Sequence, residues 1–378
     1  MIWLKNPESR RCHYSKRWNE KDNTSIPLSV ADLDIKPPHA VQKALIDEIR
    51  HGVYGYTIEP SSFKENWTKH IFSRYNWEIN PDWIIAVPGV IPGVTAAIRC
   101  FPQKTHLIRQ IPVYHQIHLM AKRMGLEDLT IPVQNYFEKR MIIDFKELEN
   151  KMKNFNSKSC LLFCNPWNPG GTVFTKQEIQ KISTLALETK TPIISDEIWC
   201  DLILERVQHE PFGKYVPANF PSVTLMAASK TFNIAGLPCA IAIVPKSELR
   251  LKLKRELLSY PAISLLAYRA TEESLKTGKT WINNLLRALK TNRNTLNLWG
   301  DKHQNINIYS GQATYLGWIR SNHESKQLVS ALLKFGLHLS PGNIFGDNNA
   351  VRINFGCSPD ILRKALQRFD STLKHLNY

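Results

Sequence analysis

Short, unbroken apolar runs recur from about residue 83 to residue 244, separated by amphipathic stretches, and no other feature constrains the fold of this chain as tightly. The candidate strands are Trp83–Val87, His106–Arg109, Ser159–Cys164, Pro192–Ser195, Val223–Ala227 and Ala240–Val244. A strand that is apolar at every position, rather than at every second one, is covered on both faces. Amphipathic segments lie between them: Val94–Cys100, Tyr114–Met124 and Lys176–Thr189. The last follows Thr175 with Glu178 three residues on, the signature of a capping box. Strands alternating with helices predict a doubly wound α/β sheet. The Pro-rich turns at Pro88–Pro92 and Pro166–Pro169 follow strands, where such a sheet carries its ligand loops.

Beyond residue 245 the pattern changes. Residues Ser247–Lys279 and Trp281–Trp299 read as two long helices, followed by a βαβ-like tail of Ala313–Ile319, Ser325–Phe335 and Ala350–Asn354 and a closing helix Pro359–Leu373. The expectation is a large domain over residues 41–275, a smaller α+β domain over 276–378, and an N-terminal segment, 1–40, joining the small domain. With 378 residues the chain is long enough for both cores.

Composition narrows the functional classes. No apolar run reaches the roughly 18–20 residues that span a bilayer. The N-terminal residues turn charged before a signal-peptide core could form, so a cytoplasmic location is expected. The net charge of +16 is spread along the chain without a dense basic run, which argues against nucleic-acid binding. Seven cysteines, mostly single in apolar stretches, argue against a disulfide framework. Cys160 and Cys164 share a buried-strand pattern with no second ligand pair, and His115 and His118 have helix-face spacing without an acidic partner. No metal site is expected, and the two histidines read as solvated or groove-lining.

Three segments carry chemistry. Lys230 follows the apolar run Val223–Ala227, and lysine is seldom buried without a partner. Alone it reads as a solvated strand-end lysine, yet a desolvated amine there could form an imine with an aldehyde. Asp196 ends the run Ile193-Ile194-Ser195, where an aspartate is more often a helix cap than a ligand. The third is Asn165-Pro166-Trp167-Asn168-Pro169-Gly170-Gly171, a turn too long and specific for chance.

Taken together, Asn-Pro-Trp-Asn-Pro-Gly, Ser195-Asp196-Glu197-Ile198 and Ser229-Lys230-Thr231-Phe232-Asn233 resemble the fold-type I pyridoxal 5′-phosphate (PLP) enzymes of the aspartate aminotransferase superfamily, in the same order along the chain. Val30–Asp34, His51–Thr57, Gly89–Gly93 and Asp196–Leu202 are most similar to its cystathionine β-lyase, or cysteine C–S lyase, branch. The resemblance implies the fold-type I architecture, with a mostly parallel sheet in the large domain. It implies that Lys230 carries PLP as a Schiff base and moves the substrate Cα proton. Asp196 would pair with the pyridine nitrogen, a carboxylate that PLP chemistry needs as an electron-sink partner. Asn168 would bond the phenolic oxygen and Tyr114 would stack on the ring and serve in catalysis. Gly89, Val90 and Ile91 would offer backbone N–H groups to the phosphate, with Ser229 beside them. Tyr56 would reach the phosphate of the other subunit, implying a homodimer. Arg352 would clamp the substrate carboxylate in a pocket that the backbone at Ala31 helps to line.

Two positions depart from the superfamily pattern. Ala227 stands where a phosphate-binding serine is usual, and Trp199 where tyrosine or histidine is usual. The reaction implied is β-elimination from a cysteine thioether, giving pyruvate, ammonia and a thiol. An aminotransferase reaction on the same scaffold is the alternative. The two departures also motivate a catalytically inactive regulatory relative, against which the intact Lys230, Asp196, Asn168 and Arg352 argue.

Overall fold

The computed structural model describes residues 2–19, 24–101, 104–137 and 139–376. Its centre is a seven-stranded sheet in the order Ile84–Val87, Ala240–Ile243, Ser222–Met226, Ile193–Asp196, Ser159–Cys164, His106–Gln110 and Glu127–Ile131. All the continuous apolar runs of the sequence are in it. Ala240–Ile243 runs antiparallel to both neighbours, and the remaining pairings are parallel. The polar strand Glu127–Ile131 forms an edge, which explains why an apolar pattern did not reveal it.

Helices cover both faces. Val90–Cys100 packs Val94 and Ala97 against Val87, Leu162, Ile194 and Leu225. Gly93 lies so close to the sheet that a Cβ there would sit 2.7 Å from Leu225 Cδ2. This helix begins at Val90, four residues earlier than its amphipathic pattern implied, and that brings its N-terminus to the carboxyl ends of the strands. Lys176–Thr189 matches its expected span, and both halves of the Thr175–Glu178 capping box are formed.

Several expectations are corrected. Trp83 belongs to a 3-10 turn, Pro81–Trp83, capped by the Asn80 side chain, and the strand starts at Ile84. The segment Tyr114–Met124 is two short helices, His115–His118 and Met120–Met124, divided at Leu119, where ψ is 0°. Ser247–Lys279 is not one helix. It divides into Ser247–Glu256, a 3-10 turn Leu257–Ser259, and Leu265–Thr277. Pro261 lacks the N–H that a continuing helix needs, and Ser264 caps the new start by accepting from the Ala267 N–H at 3.2 Å.

The tail is not a βαβ unit. Its four-stranded sheet, Ile306–Tyr309, Leu316–Ser321, Ala350–Asn354 and Ser340–Pro341, is antiparallel throughout. The helix Ser325–Lys334 does bring the chain back, but Ser340–Pro341 and the 3-10 turn Gly342–Phe345 then form a hairpin that reverses it. Ala350–Asn354 therefore runs against Leu316–Ser321. The N-terminal strand Ile26–Pro27 pairs in parallel with Leu337–His338. Trp3, Leu28, Leu33 and Ile35 share one apolar core with Leu316, Ile319, Val351 and Phe369. No helix among the described residues is long and apolar enough to cross a membrane.

Candidate active site

Five loops leave the carboxyl ends of the large sheet's strands toward one cleft of about 310 Å³. The turn after Ile84–Val87 brings Gly89, Val90 and Ile91, and the turn after Ile193–Asp196 begins at Asp196 itself. Ser229 and Lys230 follow Ser222–Met226, Asn168 follows Ser159–Cys164, and Tyr114 follows His106–Gln110. Ala31 arrives from the N-terminal segment and Arg352 from the small-domain strand Ala350–Asn354. Parallel strands release their loops at the same edge, so residues distant in sequence converge there. Tyr56 does not join them: it is fully exposed, on a segment without regular structure.

At one end of the cleft, Gly89 has φ 116° and stands directly before the helix Val90–Cys100. An L side chain rarely takes that backbone conformation, and the first helical N–H groups, which have no partner within the helix, favour an anion. Ala227 and Ser229 line the same cleft, and of the two only Ser229 carries a hydroxyl.

In the middle stands Asp196. Burial pushes its carboxyl up to about 7, only partly offset by the Ile198 N–H at 3.2 Å. A cationic ring nitrogen facing it would restore the carboxylate. Lys230 Nζ donates to Ala31 O at 2.9 Å. Burial, opposed by Asp32 and reinforced by Arg352, brings this amine down to about 8, so far more of it is neutral and nucleophilic near neutrality than of an ordinary lysine. Trp199 is buried with its edge on Tyr315, and its ring centroid lies 5.9 Å from Lys230 Nζ. It walls the lysine rather than offering a hydroxyl or imidazole.

Arg352 Nη2 donates to Ser29 O at 2.7 Å and Nη1 to Asn168 Oδ1 at 3.2 Å, with Phe345 beneath the guanidinium. Since Asn168 uses its oxygen on Arg352, its amide N–H groups are left to donate to a phenolic oxygen. Tyr114, its N–H bonded to Asn168 O at 3.1 Å, is raised by burial and stays a neutral phenol.

Sequence reasoning missed the residues that fix the 29–34 segment. Asn354 Nδ2 donates to Val30 O and Asp32 O, both at 2.6 Å. Asn233, in a left-handed conformation at φ 57°, brackets Leu33 by accepting from its N–H at 3.0 Å and donating to its carbonyl at 2.9 Å. Arg17, fully buried, donates to Pro27 O and Asp32 O at 2.7 and 3.0 Å and lies 3.1 Å from the Asp34 carboxylate. Only Asn233 had a local signal, because asparagine tolerates positive φ. Lys16 and His115 also line the cleft. Among the described residues no cluster of His, Cys, Asp and Glu could hold a metal ion.

A helix N-terminus for a phosphate, an uncompensated carboxylate for a ring nitrogen and a desolvated amine for an aldehyde suit PLP. Comparison with known proteins agrees. The family model described as aminotransferase class I and II matches residues 23–369. The chain is 30% identical over 361 residues to the cystathionine β-lyase PatB of Bacillus subtilis, covering 92% of each. It is similar to cystalysin of Treponema denticola, whose crystal structure contains a pyridoxal 5′-phosphate cofactor, with TM-score 0.92, 29% identity and full coverage of both chains. It is also similar to the crystal structure of OvoB, with TM-score 0.90, 32% identity and coverage of 95% and 96%.

Proposed function

This chain is a member of the class I and II aminotransferase family, and on that premise we propose that it is a PLP-dependent C–S β-lyase. It cleaves a cysteine thioether to pyruvate, ammonia and a thiol. The observation that carries the choice of reaction is the likeness, over nearly the whole chain, to a protein named cystathionine β-lyase. Bound PLP supplies an electron sink for the pair left when a proton departs from Cα.

The chain's own residues do the rest. The N-terminal N–H groups at Val90 and Ile91, with Ser229, hold the phosphate. Asp196 keeps the ring nitrogen protonated, Asn168 donates to the phenolic oxygen and Tyr114 covers one ring face. Arg352, pre-aimed by Ser29 O and Asn168, takes the substrate α-carboxylate in a two-point grip. Lys230 Nζ accepts the Cα proton. The Cβ–S bond then breaks with its electron pair going to sulfur, and Tyr114 or Lys230 returns a proton to the thiolate. Water releases ammonia and pyruvate from the remaining unsaturated fragment.

The same residues would serve an aminotransferase, and the family's description keeps that second reading open. Purified holoenzyme incubated with L-cystathionine or an S-alkyl cysteine decides between them. Pyruvate release supports the lyase. Amino-group transfer to an added keto acid, without pyruvate, refutes it.

The functional unit in this proposal is a homodimer that brings Tyr56 of one subunit to the phosphate of the other. It is supported by the exposed apolar string Ile46, Ile49, Val53, Tyr54 and Ile58 beside that tyrosine. Residues 1–40 are proposed to belong with the small domain, 276–378, and 41–275 to form the cofactor-binding domain; the shared core of Trp3, Leu28 and Phe369 supports this. A cytoplasmic location is part of the proposal, supported by seven free cysteines.

A further inference from the structure

A lysine amine attacks an aldehyde, or takes a proton from carbon, only in its neutral form, so whatever keeps water from Lys230 bears on its chemistry. Its Nζ donates to Ala31 O at 2.9 Å, and the Tyr315 hydroxyl donates to the same oxygen at 3.3 Å. The Trp199 ring centroid lies 5.9 Å from Nζ, and Trp199 meets Tyr315 edge to face at 4.9 Å and 76°. Both aromatic residues are 1% exposed. The charged groups that face the amine do not make it neutral: Asp32 and Asp196 favour the ammonium, and Arg352 alone opposes it. Desolvation is the larger influence and acts toward the neutral form. Trp199 is the aromatic ring set over that amine.

The backbone fixes both aromatic rings. The Ile198 N–H donates to Asp196 Oδ1 at 3.2 Å and the Leu202 N–H to Trp199 O at 3.0 Å, which closes the turn that carries the indole. Just beyond it, the Leu204 N–H donates to Gln312 O at 2.7 Å and the Thr314 N–H to Leu202 O at 2.9 Å. These bonds tie the loop after Trp199 to the segment that leads into Tyr315. The indole therefore packs into the apolar core that holds Leu28, Leu33 and Tyr315. Ala31 is equally fixed, because Asn354 holds the carbonyls on either side of it, Val30 O and Asp32 O. Moving either partner of the amine breaks these bonds.

We propose that Trp199 is a positioning residue for Lys230: backed by Tyr315, its ring shields the amine from water while Ala31 O holds the amine in place. The departure at residue 199 thus replaces a ring that titrates with one that does not. Its consequence is a larger neutral fraction of the amine that carries the cofactor. The inference rests on the cofactor reading for the use made of that amine, but not for the amine's surroundings.

The test titrates Lys230 itself. Full-length apoenzyme is pulse-labelled with trinitrobenzenesulfonate, which reacts with neutral amines, from about pH 6 to pH 10. Mass spectrometry reads the extent of labelling on the peptide that carries Lys230, with the other lysines of the same sample as reference. In Trp199→Gln, which admits water beside the amine, the midpoint should rise by about one unit, and labelling near neutrality should fall about tenfold. In Trp199→Phe, which keeps an apolar ring there, the midpoint should stay within about 0.3 unit of wild type. A packing role alone would lower Tm in both variants and leave both midpoints where they were. An unmoved midpoint in Trp199→Gln, or an equal rise in Trp199→Phe, overturns the proposal. Should Trp199→Gln fail to fold, Trp199→His takes its place, with the same rise expected and the same refutation. Borohydride reduction of the holoenzyme tests the cofactor reading separately. PLP trapped on a lysine other than Lys230 defeats that reading, and the labelling midpoints still decide whether Trp199 governs this amine.

Discussion

Replacing Arg17 by methionine tests whether the N-terminal segment supports the active site. Arg17 is fully buried, and its guanidinium serves three backbone carbonyls, Pro27 O, Asp32 O and Gly356 O, as well as the carboxylates of Asp32 at 3.3 Å and Asp34 at 3.1 Å. Methionine fills much of the volume but leaves all three carbonyls without that donor. The carboxylates keep Arg10, at 2.6 Å from Asp32 and 2.7 Å from Asp34, so the network is weakened and not dissolved. Removing one member of a buried ion-pair network costs about 3–5 kcal/mol. At about 2.1 cal/mol/K of unfolding entropy per residue, the 378-residue chain loses about 4–6 °C in Tm, read by calorimetry of the holoenzyme. A second effect separates support of the site from general stability. The segment that Arg17 holds supplies Ser29 O to Arg352 and Ala31 O to Lys230. KM for the amino acid should therefore rise more than kcat falls, at a temperature well below the transition. A Tm within about 1 °C of wild type together with an unchanged KM would refute the reasoning.

Further outcomes follow from the site itself. Arg352→Leu removes a charge-assisted grip worth about 1.5–3 kcal/mol, so KM for amino-acid substrates should rise about 10- to 100-fold in steady-state kinetics; an unchanged KM would mean the carboxylate binds elsewhere. Lys230→Ala should yield protein that releases no pyruvate and shows no PLP covalently trapped after borohydride reduction, and a trapped adduct would point to another lysine. Cofactor capture by the apoenzyme needs the neutral Lys230 amine, which burial brings down to about 8. The rate of PLP incorporation should therefore rise as pH passes upward through about 8 and then level off; a rate still climbing steeply beyond pH ~9.5, toward the ordinary lysine value, contradicts that. Gly89→Ala forces an L residue to φ 116°, a cost of about 1–3 kcal/mol where phosphate binds. PLP should be released more readily on dialysis than from wild type, and equal retention would argue against that turn as the phosphate site.

The amino-acid sequence alone determined which segments are buried strands, because an apolar residue at every position of a short run leaves no face for water. Ser159–Cys164 and Ala240–Ile243 were legible this way, as was the capped helix Lys176–Thr189. The same applies to Lys230, Asp196 and Asn168, polar residues placed where apolar strands end. What the apolar pattern does not record is a partner. It could not show that Ala240–Ile243 runs antiparallel to its neighbours, nor that a hairpin at Ser340–Pro341 turns the tail into an antiparallel sheet. Nor could it show Arg352 meeting Asn168 across 184 positions, or Arg17 closing on Asp34. Burial is a property of one segment and is written locally. Hydrogen bonds and ion pairs join two segments that only the folded chain brings together.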